Sequence, residues 1–395
     1  MLVTHVLGDC PGCGGENCFG NVSVLGDHVL RGCTRCKYST TVWLPEVRKK
    51  ILYLDQFFFS SAFREHDQRF VDAAQRIRQV SALQLLVAPF SSIHEDETNQ
   101  WRGYDGKNKE DLMEFIKATS RGHKFEPAYK VEETQIVRAF QAFLAGKPPT
   151  FELNQRDVIR GDIHQWDDYF RIDVGRYMGD VELIRGLKRQ SVEGLVDAFP
   201  SWRQSANTFD QDVALEMRDA AKGCIDAYSD FVARVVGGDY AALVDSPATS
   251  MVVQSLLYCF ADEISPKERL KRVGMFFRST HFGEIPYQWL SARIYPTLKD
   301  MVKRGAYADR DDAVRRLSGF FQDVKHVSTY APYCDAFVMD RAMAALIADP
   351  RVGLEDRYGA KVFSLSNWDQ FLTWLNTLEA NMTLEHRVGL SAAYP

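Results

Sequence analysis

The sequence predicts an α/β protein: a parallel sheet covered by helices on both faces, a helical insertion in the middle, and a small cysteine-rich module in front. Three observations carry this. Apolar runs of strand length alternate with segments of helical period, near residues 50–102 and again beyond residue 310. Those strands are apolar throughout rather than alternating, which suits a sheet buried on both faces. Five of the eight cysteines fall within the first 36 of 395 residues, outside that pattern.

The front module comes first. Cys10-Pro-Gly-Cys13 and Cys33-Thr-Arg-Cys36 are separated by nineteen residues. Each C-x2-C pair makes a tight knuckle, and four converging thiolates satisfy tetrahedral zinc. Gly12, Gly14 and Gly15 supply the backbone freedom a knuckle needs. The segment NVSVLGDHVLRGC alternates around Gly26-Asp27 and reads as a hairpin. Residues 1–46 therefore read as a zinc ribbon, with Cys10, Cys13, Cys33 and Cys36 holding structural Zn2+ and Cys18 as an extra thiol. Four thiolates leave no open position for chemistry. Clustered thiols of this kind point to a reducing compartment, and a cytoplasmic location is expected. Arg31, Arg35, Lys37, Arg48, Lys49 and Lys50 outnumber Asp9, Glu16, Asp27 and Glu46. Such a ribbon touches nucleic acid or braces a domain or a protein partner.

The sheet follows. KILYLD is a strand that ends at Asp55. FFFSSAFREHDQRFVDAAQRIRQV is one helix, with Phe59, Phe63, Phe70, Ala74 and Ile77 near helical spacing. LQLLVAP, 83–89, is a second strand, stopped by Pro89, and Ser91 or Ser92 caps the helix through IHEDETNQW. Downstream, DDAVRRLSGFFQDVKHVSTYA is a helix, CDAFVMD (334–340) and KVFSLSN are strands, and WDQFLTWLNTLE closes the body. Residues 47–102 and 266–385 thus form the sheet domain. Residues 103–265 form a helical insertion. Within it DQDVALEMRDAAKGCIDAYSDFVARVV carries one apolar stripe, and QIVRAFQAFLAG and MVVQSLLYCFADEI read the same way. Cys224 and Cys259 read as small buried hydrophobes. The charged, aromatic-rich stretch from Asn154 to Gln190 lines a groove or forms a solvated helix pair, the second being favoured.

Net charge of −5 and a pI near 6.0 give no whole-chain signal for nucleic acid, where a local patch is what matters. No run of about 18 apolar residues predicts a membrane span, and the first residues lack the pattern of a signal peptide. There is no internal repeat, P-loop or nucleophile elbow.

In open α/β sheets the site lies outside the carboxyl ends of the strands. Asp55 and Asp340 end strands there, and Glu97 lies in the first turns of the helix after the second strand. Asp323 opens a helix segment that runs back before the third strand, so it returns to the same edge. Taken singly, each acid is more often a turn or helix cap. Jointly they form a carboxylate cluster whose members raise one another's pKa. Mg2+ or Mn2+ relieves that repulsion, and two such ions can clamp a phosphodiester. Asp335 starts its strand about 16 Å from Asp340 and reads as structural. His94 and His326 each lie three residues from a candidate acid and orient a carboxylate, touch substrate or pack. LDQF at 54–57 lacks the second aspartate of a D-x-D phosphatase strand end.

Asp55, Glu97 in PFSSIHEDET, Asp323 in FFQDVKH and Asp340 in YCDAFVMDRAM resemble the PIN-like nuclease superfamily. FFRSTHFGEIPYQWL and DVKHVSTYAPYCDAFVMDRAM resemble uncharacterised bacterial PIN-like proteins in particular. The resemblance covers about 50–100 and 275–380. It implies a three-layer α/β/α domain and hydrolysis of phosphodiesters with Mg2+ or Mn2+, with RNA ahead of DNA. It implies an endoribonuclease of toxin or defence type; the alternatives are a structure-specific DNA nuclease and, on the acidic pI rather than the resemblance, a non-catalytic scaffold binding nucleic acid or protein. HEDE offers both Glu95 and Glu97. Helix geometry puts them about 200° apart, so one of them faces the site, and the S-x2-H-x2-E-T spacing of the resemblance selects Glu97.

Overall fold

A computed structural model describes residues 1–166, 181–243 and 248–395. Its first sheet is antiparallel and follows chain order: β1 (His5–Gly8), β2 (Phe19–Leu25), β3 (His28–Cys33) and β4 (Ser39–Trp43). The expected hairpin turns at Gly26-Asp27, with Leu25 opposite His28. Gly26 has φ +69°, a value glycine adopts without steric cost.

The second sheet contains β5 (Lys50–Leu54), β6 (Leu86–Val87), β7 (Ala336–Val338) and β8 (Lys361–Phe363). Its order is β6-β5-β7-β8, and every neighbouring pair is parallel. Ile51, Tyr53 and Phe337 enter one core, while Leu52, Leu54, Ala336 and Val338 enter another. That two-residue alternation into two buried faces is why the strands are apolar throughout.

Three strands are shorter than their apolar runs, because pairing lasts only while the backbones run side by side. Two expected helices are each divided. The first is Gln56–Arg64 and Gln68–Ala82, broken where Glu65 takes φ +58° and Asp67 caps the second piece. The other is Arg310–Arg316 and Phe320–Tyr330, and the break puts Asp323 in a first turn.

The segment expected as an insertion packs into both cores. Leu112 and Ile116 of helix Lys109–Thr119 join Leu52 and Leu54, and Phe125, Val131, Ile159 and Ile163 join Tyr53. A third core, with Phe140, Cys224, Leu256, Phe276 and Phe282, gathers helices Ala128–Leu144, Phe209–Val236, Ala248–Leu257 and Pro266–Phe276. Cys224 is buried as expected, while Cys259 is half-buried at the rim of that core. In the charged stretch, residues 167–180 lie outside the described residues, and Val181–Asp197 is a helix.

The C-terminal helix Leu384–Ala393 holds the cysteine module against the body. Asn21 Nδ2 donates to the Ala392 and Ala393 carbonyls at 2.9 and 3.1 Å, and Arg31 Nη2 donates to Ala392 at 3.3 Å. These side chains satisfy carbonyls that the last helical turn leaves open. Trp166 donates from Nε1 to the Pro45 carbonyl at 2.6 Å. Gly389 backs onto its ring, where an added Cβ would lie 2.6 Å from Cζ2. Among the described residues, no helix is long and apolar enough to cross a membrane.

Asp335 stands at the amino end of β7. Its Oδ1 meets Lys50 Nζ at 2.7 Å, and its Oδ2 accepts from the Ile51 N–H at 2.8 Å. Asp335→Ala is expected to lower stability by about 1–2 kcal/mol in urea unfolding. An unchanged midpoint would show that this seam contributes nothing.

Candidate active site at the carboxyl edge of the parallel sheet

The register of β5 on β7 pairs Leu54 with Val338, and the Asp55 N–H extends the ladder to the Val338 carbonyl at 3.0 Å. Asp55 and Asp340 therefore leave adjacent strands at one edge. Each also caps the helix that follows. Asp55 Oδ1 accepts from Gln56 N at 2.7 Å, and Asp340 Oδ1 accepts from Ala342 N at 2.6 Å and Met343 N at 2.9 Å. A cap takes one oxygen. Among the described residues, Oδ2 of each aspartate has no hydrogen bond or ion pair, so capping leaves a ligand atom.

Glu97 rides on helix Ser92–Asn99, and His94 places that helix. His94 Nδ1 accepts from the Ser91 N–H at 2.8 Å, so Nε2 carries the proton and donates to the Leu54 carbonyl at 2.8 Å. Leu54 directly precedes Asp55. Burial lowers the His94 pKa to about 4, so the ring is neutral near neutral pH. A second tie runs from Gln56 Nε2 to Thr98 Oγ1 at 3.1 Å. The two glutamates part company here. Glu95 pairs with Lys124 at 2.6 Å, whereas Glu97 lies within electrostatic reach of Asp55.

Burial, then the charges of Glu97 and Asp340, push the Asp55 carboxyl from 3.8 up to about 8, against the opposing pull of the Gln56 cap. Asp323 lines a cleft with Tyr53, Asp55, His326 and Met343. A second cleft, which shares Asp323 and Met343, holds Asp340, Tyr307 and Arg316. Asp323 thus stands between the two strand-end acids. His326 is buried in the cleft wall, and its Nδ1 bonds the Tyr53 hydroxyl. Tyr53 stacks on Phe337 at 4.1 Å.

The carboxylates converge without collapsing. Among the described residues, Cys10, Cys13, Cys33 and Cys36 are the one group of three or more candidate ligands whose atoms all lie within 4.8 Å of one another. No three of the four acids meet that spacing. In the cysteine group the Cys10–Cys36 and Cys13–Cys33 sulfurs lie 3.7 and 3.9 Å apart. Tetrahedral zinc with bonds of about 2.3 Å separates its sulfurs by about 3.8 Å, so the set fits such a metal. The N–H groups of Gly12, Arg35 and Tyr38 point at the Cys10, Cys33 and Cys36 sulfurs. Cys18 donates its thiol proton to the Gly15 carbonyl at 3.0 Å and its sulfur lies 3.4 Å from that of Cys33, but it is not among the four whose sulfurs are all mutually close.

Four of the basic residues counted with the ribbon are engaged elsewhere. Arg31 caps the C-terminal helix, Arg48 pairs with Glu46, Lys50 pairs with Asp335, and Lys49 is buried. The module adjoins the amino ends of the strands, and β5 separates it from the acids by about 16 Å. Sequence reasoning missed Tyr53, Tyr307 and Arg316 as cleft residues, since no periodicity or motif marks them. The Ser91 capping role did carry a signal for His94, which occupies the third helical position used by a capping box.

The raised Asp55 pKa means that the folded chain holds this proton more tightly than the unfolded one. The associated stability is present below about pH 4 and is lost as pH rises toward 8. Asn keeps the cap acceptor without the charge. Asp55→Asn is therefore expected to raise the melting temperature of the metal-free chain by about 2–4 °C at pH 8, with the difference shrinking toward pH 4. Thermal scans at both pH values check this, and a lower melting temperature at pH 8 would reverse the sign. No family model matches the chain, and neither a curated protein nor a solved structure matches it.

Proposed function

We propose that the chain is a divalent-metal-dependent nuclease of PIN-like type, acting on RNA ahead of DNA. The three-layer α/β/α arrangement of that family belongs to the same proposal, supported by the alternation of strand side chains into two cores. One observation carries the reading: Asp55 and Asp340 leave adjacent parallel strands at one edge, with Glu97 in electrostatic reach of Asp55 and Asp323 lining a cleft with each aspartate. Mg2+ or Mn2+, when bound there, supplies charge neutralisation and an activated water. Asp55 and Asp340 offer Oδ2 while Oδ1 holds the helix, and Glu97 and Asp323 complete the oxygen donors that hard cations prefer. Displacing the Asp55 proton accompanies metal uptake, so affinity rises with pH up to about 8. The preference for RNA, and a toxin or defence role, rest on the resemblance alone. The ribbon, with structural zinc on Cys10, Cys13, Cys33 and Cys36, acts as a brace.

A scaffold reading is favoured by a different observation. Both aspartates already have employment as helix caps, and the acids stand wider than close ligand spacing. The two readings separate cleanly. Asp55→Asn and Asp340→Asn preserve both caps, and each is expected to reduce Mn2+-dependent cleavage of a labelled oligoribonucleotide by about a hundredfold or more. If both variants cleave as wild type does, the nuclease reading fails. A manganese anomalous signal at Asp55 and Asp340 is the structural counterpart.

For the ribbon, the purified chain should hold about one zinc. Cys33→Ser is expected to lose it and Cys18→Ser to keep it, as read by metal analysis. Loss from both variants would move Cys18 into the ligand set.

A further inference from the structure

The cysteine module holds one thiol more than a tetrahedral metal takes. Cys18 and Cys33 are both buried, and their sulfurs lie 3.4 Å apart. That is closer than the 3.7 and 3.9 Å of the ligand pairs Cys10–Cys36 and Cys13–Cys33. The backbone builds this contact. Phe19, next to Cys18, pairs with Cys33 across β2 and β3, and the Thr34 N–H donates to the Cys18 carbonyl at 2.9 Å. The Cys18 thiol proton goes to the Gly15 carbonyl, which also accepts the Cys10 N–H at 2.9 Å. The thiol is thus tied to the first knuckle without being one of its ligands. Gly15 makes the room, since an added Cβ there would lie 2.9 Å from the Cys18 sulfur. A sulfur–sulfur bond of about 2.05 Å needs the two atoms to close by about 1.4 Å.

With zinc on the four ligands, Cys33 is a thiolate and Cys18 a metal-free thiol at its side. A disulfide between two of the ligands removes two Zn–S bonds, whereas a disulfide between Cys33 and Cys18 removes one. Oxidation therefore disrupts the site least at this pair. We propose that Cys18 and Cys33 form a redox modification site, which a small peroxide oxidises to a disulfide with release of the zinc. The Cys33 sulfur attacks one peroxide oxygen, the O–O bond breaks and hydroxide leaves, giving a sulfenic acid. The hydroxide takes the Cys18 proton and becomes water. The Cys18 sulfur then attacks the Cys33 sulfur, the S–O bond breaks and a second hydroxide leaves. Each sulfur has lost one electron, and the peroxide has gained both. Cys13, the exposed ligand with its sulfur 3.9 Å from that of Cys33, marks the side from which so small a molecule enters. Zinc is left with Cys10, Cys13 and Cys36 and an open position, where water or a chelator takes it up. The site lies wholly in the ribbon, and the inference stands apart from the nuclease reading.

The test loads the reduced full chain with zinc, adds hydrogen peroxide and follows the released metal with a coloured chelator. Free thiols are then blocked, and disulfides are mapped by mass spectrometry. Wild type should release about one zinc per disulfide formed, with Cys18 joined to Cys33, and should take the metal back after reduction. Cys18→Ser and Cys18→Ala should bind zinc as wild type does, which shows that the module is intact before peroxide is added. Both should then release it at least about tenfold more slowly at the same peroxide concentration. If the variants release zinc as fast as wild type, or if the wild-type disulfide joins two of the four ligands, the inference is overturned. It is overturned equally if neither variant binds zinc, since Cys18 then belongs to the ligand set, or if the reduced wild-type chain takes up none.

Discussion

The candidate site depends on one constraint, the in-register parallel pairing of β5 with β7. Parallel strands end at the same edge, so whatever follows them is brought together whether or not it attracts. Here carboxylates follow both strands. Two forces act on Asp55 in opposite directions. Its helix cap favours the charged form, since the first N–H groups of a helix carry partial positive charge. Burial and the neighbouring charge of Glu97 favour the neutral form. The carboxyl rises to about 8, so burial and repulsion outweigh the cap. A cation at this edge would invert that balance, because it replaces repulsion by attraction for every acid at once.

Below the acids lies a buried polar layer that a purely apolar sheet core would not need. Leaving a buried imidazole nitrogen unsatisfied costs on the order of 1–3 kcal/mol. His94 avoids this with a partner for each nitrogen, and those partners belong to different elements. One ring thereby fixes the start of the Glu97 helix relative to the end of β5. Its neutral form matters to that geometry. A protonated ring would place a hydrogen on Nδ1 where the Ser91 N–H already points. Gln56 and Thr98 repeat the tie one turn further on. The spacing between Asp55 and Glu97 is thus set by hydrogen bonds that neither acid makes.

Legibility from sequence followed the range of the forces involved. The cysteine module and its hairpin were readable because ligand spacing and turn chemistry act over a few residues. The edge carrying Asp55 and Asp340 was readable because parallel pairing is a topological rule. The helix breaks were not. Glu65 takes φ +58° without being glycine, so no residue type announced it. The choice between Glu95 and Glu97 shows the limit well. Helix geometry says that one of them faces away, but what draws Glu95 off is Lys124, which reaches it across 29 positions of chain. The helices after residue 103 failed in another way. An apolar stripe reports that a helix buries a face, not against what, and Leu112 and Phe125 bury theirs against the sheet.

The position of the ribbon follows from the same topology. It adjoins the amino ends of the strands, so its cations cannot reach phosphates at the acids without spanning the sheet. What it does reach is the C-terminal helix, through Asn21 and Arg31. That helix in turn sends His386 Nε2 to the Leu83 carbonyl, 2.7 Å away, shortly before β6 begins. Lys50 and Asp335 close the neighbouring seam between β5 and β7. A metal on the four cysteines would therefore act through mechanics. It would hold the knuckles, the knuckles would hold the β2–β3 hairpin that carries Asn21 and Arg31, the hairpin would hold the helix, and the helix would hold the end of the sheet where register begins. A side chain period of two makes register unforgiving, since a slip of one residue would turn Tyr53 and Leu54 into each other's cores and carry Asp55 away from Asp340.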